Sequence, residues 1–192
     1  VLKVGDISTP IELSKTDVRI NKLDTNTLTV KSDSVLTGII DGQILGYTAI
    51  GIDASDASYD VTNAFVTIDA GTKVTFVAPP SGNVEIFVSV YNDCATSSRP
   101  LFFGLSDNAT YNSVDVTHEH EVLAGDETDE YQANHYWTIS GLTTGTSYTY
   151  WIGAKASHNN IHVLRWGGDV TAEYAPFIIK ATALPATIYD GS

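Results

Sequence analysis

The stretch Val84-Glu85-Ile86-Phe87-Val88-Ser89-Val90-Tyr91 decides the fold class of this chain. Its aliphatic residues recur at every second position, which is the period of a β-strand and not the 3.6-residue period of a helix. One face of such a strand carries only aliphatic side chains, while the other carries Glu85, Phe87, Ser89 and Tyr91. The stretch therefore predicts a strand with one buried face and one amphipathic outward face.

The alternating pattern continues along most of the chain, where Thr, Val, Ile and Tyr are abundant and turn residues separate short runs. No segment shows the apolar stripe and the caps of a helix. Many short strands at spacings of about 8–12 residues are typical of an all-β antiparallel β-sandwich, and we expect a jelly roll. We predict strands near 27–31, 35–40, 43–50, 62–69, 72–78, 83–92, 100–106, 112–122, 132–140, 146–154, 160–166 and 176–184.

One turn favours a different kind of sandwich. The segment Leu142-Thr143-Thr144-Gly145-Thr146-Ser147-Tyr148 resembles the tyrosine corner of fibronectin-type sandwiches, in which the Tyr hydroxyl bonds a backbone group upstream. This feature is structural and indicates no activity. The jelly-roll and the fibronectin-like topology therefore both stay open at this point.

The composition excludes several classes of function. The chain has 192 residues, of which 43% are hydrophobic and 17% are charged, and its net charge is −13. A chain of this size and hydrophobicity can build its own core. Because it has no basic stripe to neutralise phosphates, we expect neither nucleic acid nor an anionic membrane as a partner.

The charge is distributed unevenly along the chain. Residues 1–31 contain five basic and four acidic residues, whereas residues 32–192 contain five basic and nineteen acidic residues. Residues 1–42 also consist of short alternating pieces that are too sparse for a core of their own. We therefore predict an extended stem or docking arm at 1–42 and a globular β-sandwich head at 43–192; the alternative is that 1–42 supplies edge strands to a single domain. The absence of Met indicates a processed chain, a fragment or a removed initiator.

Two histidines form a candidate metal site. His118 and His120 would lie on one face of the strand predicted at 112–122, and His135 on a neighbouring strand could add a third imidazole. The alternative is a pair of half-buried or interface histidines. The acidic run 126–130 could hold Ca²⁺ through its carboxylates, but without the spacing of a calcium loop it is more typical of a solvated loop tip.

Catalytic motifs are missing from the sequence. There is no Gly-x-Ser-x-Gly elbow and no phosphate-binding loop, so we predict no enzymatic activity, no catalytic residues and no cofactor. The single cysteine, Cys94, cannot form an internal disulfide and reads as an incidental thiol. Aromatic residues concentrate in the second half of the chain, and Tyr131, Trp137 and Trp166 are candidates for receptor binding, with a place in the core or in a subunit interface as the alternative.

Several stretches resemble structural proteins of tailed bacteriophages, especially fibre-like proteins of marine and cyanobacterial phages. They are 74–86, 103–111, 141–152 and 179–186, and the resemblance spans residues 72–190. The run Ala78-Pro79-Pro80-Ser81-Gly82 before a long alternating strand is also similar to the trimeric jelly-roll heads of the complement and tumour-necrosis-factor-like superfamily. These resemblances imply a homotrimer with its stem at the N-terminus and a location on the virion surface.

Three functions follow as hypotheses. The first is a non-enzymatic virion protein of the tail-fibre or fibre-head type, in which the arm 1–42 docks to other virion proteins and the head contacts a host-surface glycan or protein. The second is a capsid decoration protein that stabilises the shell. The third and weaker one is a carbohydrate-binding module of a larger extracellular protein.

Overall fold

The computed structural model describes residues 41–52, 56–94, 100–112, 118–123, 130–169 and 172–189. These ranges contain twelve β-strands and no α-helix. None of them contains a helix of the length and hydrophobicity that a membrane span requires. The strands are β1 (Ile44–Ile50), β2 (Ala57–Asp60), β3 (Val66–Thr67), β4 (Lys73–Val77), β5 (Val84–Cys94), β6 (Leu101–Ser106), β7 (His120–Leu123), β8 (Tyr131–Ile139), β9 (Ser147–Ala156), β10 (His162–Asp169), β11 (Ala172–Tyr174) and β12 (Phe177–Ala183).

The larger sheet, sheet A, is organised around β5. Strand β8 pairs with one edge of β5, while β12 and β10 share the other edge, β12 along Val84–Ser89 and β10 along Tyr91–Cys94. Strand β1 adds beyond β12, β2 adds beyond β10, and β11 pairs with the end of β10. In the smaller sheet, sheet B, β9 pairs with β3 and β4 on one edge and with β6 on the other, and β7 adds beyond β6.

The strand order identifies the sandwich as a jelly roll. Eight strands run β1-β12-β5-β8 in sheet A and β4-β9-β6-β7 in sheet B, and every pairing is antiparallel. Numbered along the chain from 1 to 8, these orders are 1-8-3-6 and 2-7-4-5, which is the arrangement of two Greek keys wound into one roll. The predicted all-β antiparallel sandwich is confirmed, and its strand order is that of the jelly roll.

The core lies between the two sheets and uses the aliphatic face of β5. Val84, Ile86, Val88 and Val90 are all 0% exposed and pack with inward residues of both sheets. Burial of each such side chain contributes roughly 1.5–3 kcal/mol to stability. The period-2 alternation of this one strand therefore determines which face of sheet A packs against sheet B.

Most predicted strands are present with small shifts of their ends, but one prediction is wrong. The segment predicted as one strand at 62–69 instead contains only β3 at Val66–Thr67, while β2 forms earlier, at Ala57–Asp60. Of the strand predicted at 112–122, residues 113–117 lie outside the described residues, and the described part becomes a strand, β7, at His120. The strands predicted at 27–31 and 35–40 lie outside the described residues.

The predicted tyrosine corner is confirmed as a local contact. The Thr143 backbone N–H donates to the Tyr148 hydroxyl at 3.0 Å, and Tyr148 lies at the start of β9. The turn is closed further by a bond of 3.1 Å from Thr146 N–H to the Thr143 carbonyl. The feature therefore locks a turn of a jelly roll and does not by itself identify a fibronectin-like topology.

The predicted boundary between arm and head stays a prediction, because residues 1–40 lie outside the described residues. Gly42, at the end of the predicted arm, donates its N–H to the Ala183 carbonyl at 2.8 Å. This bond ties Gly42, two residues before β1, to the last residue of β12.

Candidate functional site

The outward face of β5 forms the centre of an exposed aromatic surface on sheet A. Phe87 stands directly opposite Tyr136 of β8 and Lys180 of β12, and Lys180 stands directly opposite Tyr47 of β1. We call Tyr47, Lys180, Phe87 and Tyr136 the aromatic row. Since neighbouring strands lie about 4.8 Å apart, the row crosses roughly 14 Å of the sheet.

Three side chains of the row, those of Lys180, Phe87 and Tyr136, contact one another, and both ends of the row remain accessible. The rings of Phe87 and Tyr136 have centroids 4.7 Å apart, and the Lys180 ammonium lies 5.2 Å from the Phe87 centroid. Tyr47 and Tyr136, at the two ends, are 56% and 54% exposed. Cross-strand aromatic and cation–π pairs hold these rings in place without burying them.

Polar side chains flank the aromatic row on both sides. On one side Ser89 faces Asn134 across the β5–β8 pair, and Gln132 donates from Nε2 to the Ser89 hydroxyl at 2.8 Å. On the other side Glu85 faces Thr138. Hydrogen-bonding groups therefore border the Phe87–Tyr136 half of the aromatic row.

A second aromatic group, the Tyr91 cluster, lies beyond this polar border. The rings of Tyr91 and Tyr174 have centroids 4.9 Å apart, and the Arg165 guanidinium lies 5.6 Å from the Tyr174 centroid. Arg165 also donates from Nη2 to Asp93 Oδ2 at 3.1 Å, and the Tyr91 hydroxyl donates to Glu130. Desolvation and then the bond to Glu130 raise the pKa of Tyr91 to about 12, so its hydroxyl stays a donor at neutral pH.

The aromatic residues predicted as receptor contacts are mostly inside the molecule. Trp137 and Trp166 are 2% and 7% exposed and belong to the core. Tyr131 packs against the core, and its hydroxyl accepts a bond of 2.9 Å from Asn92 Nδ2. A buried indole cannot stack on a ligand that approaches from solvent. The two tryptophans are therefore core residues, which was the stated alternative, and not receptor contacts.

The aromatic row was missed although its signal is present in the sequence. Phe87 occupies the outward face of the strand that decides the fold, and Tyr136 directly precedes Trp137. Because side chains alternate between the two faces, burial of Trp137 places Tyr136 outside. Tyr47 and Lys180 join the row only through pairing registers that the sequence does not state.

The candidate metal ligands are arranged differently from the prediction. His118 precedes β7, and its backbone carbonyl accepts a bond of 2.7 Å from Trp137 Nε1. His120 Nδ1 instead lies 2.8 Å from Nε2 of His135. Among the described residues no group of three or more His, Cys, Asp or Glu side chains could hold a metal ion together. Most of the acidic run 126–130 lies outside the described ranges.

A cleft of about 400 Å³ on the outer side of sheet B is a second candidate binding site. Phe65 and Tyr111 stack in its wall with centroids 5.0 Å apart, and Glu119 and Lys155 also line it. The Lys155 ammonium lies 5.3 Å from the Phe65 centroid, and the Tyr111 hydroxyl donates to Glu119 Oε1 at 3.1 Å. The aromatic and charged groups of this cleft are thus largely paired with one another.

A polar network inside the core joins residues that are far apart in the sequence. The Cys94 sulfur lies 3.9 Å from His162 Nε2, and His162 Nδ1 lies 3.2 Å from Asn92 Oδ1. These residue types also occur in cysteine nucleophile sites. Here all three side chains are buried, so Cys94, the last residue of β5, belongs to a polar network of the core. No local pattern signals this network, because the contact depends on β5 pairing with β10.

Comparison with known proteins adds no family. No protein-family profile matches the chain. No curated protein matches it either.

One matching solved structure holds the CBM22-1 and GH10 modules of the N-terminal endo-1,4-β-D-xylanase 10B of Clostridium thermocellum, complexed with xylohexaose. The identity is 12% and the TM-score is 0.29, with 80% of this chain and 30% of that chain covered. At this TM-score the similarity supports no conclusion about function, so a function has to be inferred from the geometry of the chain itself.

Proposed function

We propose that this domain is a non-enzymatic glycan-binding module that holds an extended saccharide chain on the outward face of sheet A. The observation that carries the proposal is the aromatic row, in which Tyr47 and Tyr136 remain more than half exposed at the ends of one cross-strand line. Contiguous exposed apolar groups with a polar rim are typical of interaction surfaces.

The chemistry of the row suits a sugar better than a lipid or a nucleic acid. Aromatic rings offer flat apolar faces to the C–H side of a pyranose, while Asn134, Gln132 and Glu85 offer hydrogen-bonding groups to its hydroxyls. Lys180 is the single basic residue of the row and already contacts Phe87. The surface therefore lacks the basic density that an anionic polymer requires.

The fibre-head role remains a proposal that rests on the sequence resemblance. A head that binds glycans fits a virion protein that attaches to a host surface, with the arm 1–42 docked to other virion proteins. Capsid decoration is the alternative setting, and it does not require a glycan site. The proposed binding surface is the same for a fibre head and for a carbohydrate-binding module.

Affinity electrophoresis in gels that contain neutral polysaccharides tests the binding proposal. We expect at least one polysaccharide to retard the wild-type chain, and Tyr136→Ala or Phe87→Ala to weaken binding about tenfold, since central aromatic contacts dominate such interfaces. Tyr189→Ala is the matched control, because Tyr189 is 86% exposed and lies outside the row. Equal retardation of the control and the row variants would refute the proposal.

A second candidate role for the same face is contact between copies of the chain. Ile44 and Tyr47 on β1 are 55% and 56% exposed, which is unusual for apolar side chains on a strand. If a homotrimer buries them, light scattering gives the mass of three chains, and Tyr47→Glu lowers it to that of one. A wild-type monomer that binds the polysaccharide would leave glycan binding as the role of this face.

A further inference from the structure

The two sheets meet at one edge through a pair of histidines. His120 stands opposite Phe103 in sheet B, and His135 stands opposite Val88 in sheet A. Phe103 and Val88 are both 0% exposed and point into the core. Residues directly opposite in an antiparallel pair share a face, so both histidines lie on the core-facing side of their strands, at the open gap between β7 and β8, where His120 is exposed and His135 is half-buried.

The separation of the two ring nitrogens matches that of two ligands of one metal ion. His120 Nδ1 and His135 Nε2 are 2.8 Å apart. Two imidazole nitrogens at about 2.0–2.1 Å from one ion, at angles between 90° and the tetrahedral angle, lie roughly 2.9–3.4 Å apart. A movement of a few tenths of an ångström therefore converts the pair into a chelate.

The hydrogen bond between the two rings is also compatible with ligation. In this bond one nitrogen donates a proton to the other, and an ion that binds both nitrogens takes the place of that proton.

We propose that His120 Nδ1 and His135 Nε2 bind a transition-metal ion between β7 and β8, with Cu²⁺ bound more tightly than Ni²⁺ or Zn²⁺. Imidazole suits these ions, and their affinities for a given nitrogen site rise toward copper. Two protein ligands leave the remaining coordination positions to water. The site keeps His120 and His135 of the three histidines that the sequence indicated, leaves out His118, and links the two sheets directly.

An indole beside the site provides an optical readout. The Trp137 ring lies 4.7 Å from the His135 ring and 6.4 Å from the His120 ring, measured between centroids. Cu²⁺ bound at this distance quenches indole fluorescence. We expect Cu²⁺ added to the full-length chain at pH 7 to give saturable quenching with one ion per chain, and Trp137→Phe to remove most of it.

Histidine variants test the assignment. His120 is exposed, so His120→Ala retains the core, and we expect it to weaken Cu²⁺ binding at least tenfold. His135→Gln should have the same effect, whereas His158→Ala, which changes an exposed histidine hydrogen-bonded to Ser157, should leave binding unchanged. Calorimetric titration with the same ion measures binding independently of fluorescence.

Two outcomes would overturn the inference. One is the same Cu²⁺ affinity in wild type and His120→Ala. The other is loss of binding in His118→Ala together with full binding in His135→Gln, which would restore the pair indicated by the sequence. Neither outcome depends on glycan binding, which uses the opposite face of β8.

Discussion

At the scale of single residues, the pleat of a strand decides whether an aromatic ring is structural or accessible. Tyr136 and Trp137 are neighbours in β8, yet Tyr136 lies outside and Trp137 lies in the core. From sequence alone Trp137 was a candidate for receptor binding, with a place in the core or in a subunit interface as the alternative. The face could not be chosen until the register of β8 against β5 placed Trp137 opposite the buried Ile86.

Gly153 shows how the absence of a side chain makes room for an aromatic ring. Gly153 pairs with Gly104, and the Tyr111 ring lies against both. A Cβ atom at Gly153 would overlap this ring. We expect Gly153→Ala to displace Tyr111 and to lower the free energy of unfolding by about 1–3 kcal/mol, as overpacking usually does. Urea denaturation measures the change.

A double-mutant cycle separates this overlap from a general effect of alanine in β9. In the Tyr111→Ala background the ring is absent, so Gly153→Ala should cost much less than in the wild type. An equal cost in both backgrounds would mean that the ring is not the reason for the glycine.

At the scale of elements, strand β5 carries both the fold and the proposed site on its two faces. Its inward side chains are fully buried, and its outward side chain Phe87 lies in the middle of the aromatic row. Three neighbouring strands pair with its two edges, and inward residues of the opposite sheet pack over its inward face. Substitutions on the two faces should therefore have different consequences.

We expect Ile86→Ala to lower the free energy of unfolding by about 2–5 kcal/mol, because it leaves a cavity among residues with no exposed surface. Glu85→Ala, one position earlier and on the outward face, should change it by no more than about 0.5 kcal/mol. Thermal or urea unfolding followed by circular dichroism compares the two. Similar losses for both variants would contradict the assignment of the faces.

Elements with clean alternation could be predicted from sequence, and elements defined by their partners could not. β4, β5, β6, β8, β9 and β12 each agree with the predicted strands to within two residues at either end. β2 was missed because Ala57–Asp60 carries little hydrophobic pattern and is a strand only through its pairing with Val163–Trp166 of β10. The aromatic row likewise joins separate strands, and no local pattern encodes such contacts. His120 and His135 were both candidates from sequence, but only the meeting of β7 and β8 shows that they pair without His118.

At the scale of the whole molecule, the His120–His135 pair makes the closure of the sandwich sensitive to pH. The folded protein lowers the pKa of His135 from 6.5 to about 4, whereas the unfolded chain retains the ordinary value. Between these values the unfolded chain binds more protons, so stability falls as the pH falls from 6.5 toward 4. His135 is only half-buried, so we expect a loss on the order of 1 kcal/mol.

Urea unfolding in metal-free buffer at a series of pH values from 7 to 4 measures this loss. Acidic residues titrate over the same range, so the relevant quantity is the difference between wild type and His135→Gln. That difference should shrink steadily with acidification, because the variant has no imidazole to protonate at this position. Parallel curves for the two proteins would exclude His135 as a source of the pH dependence.

The pairing of β1 with β12 also determines how the domain responds to mechanical load. The bond between Gly42 and Ala183 places the start of the first strand beside the end of the last one. A force applied through these two points pulls the strands apart one hydrogen bond at a time, since antiparallel ladder bonds lie perpendicular to the strands. Tension along the chain would therefore unzip β1 from β12 gradually, and the domain would yield under pulling more readily than a sandwich loaded in shear.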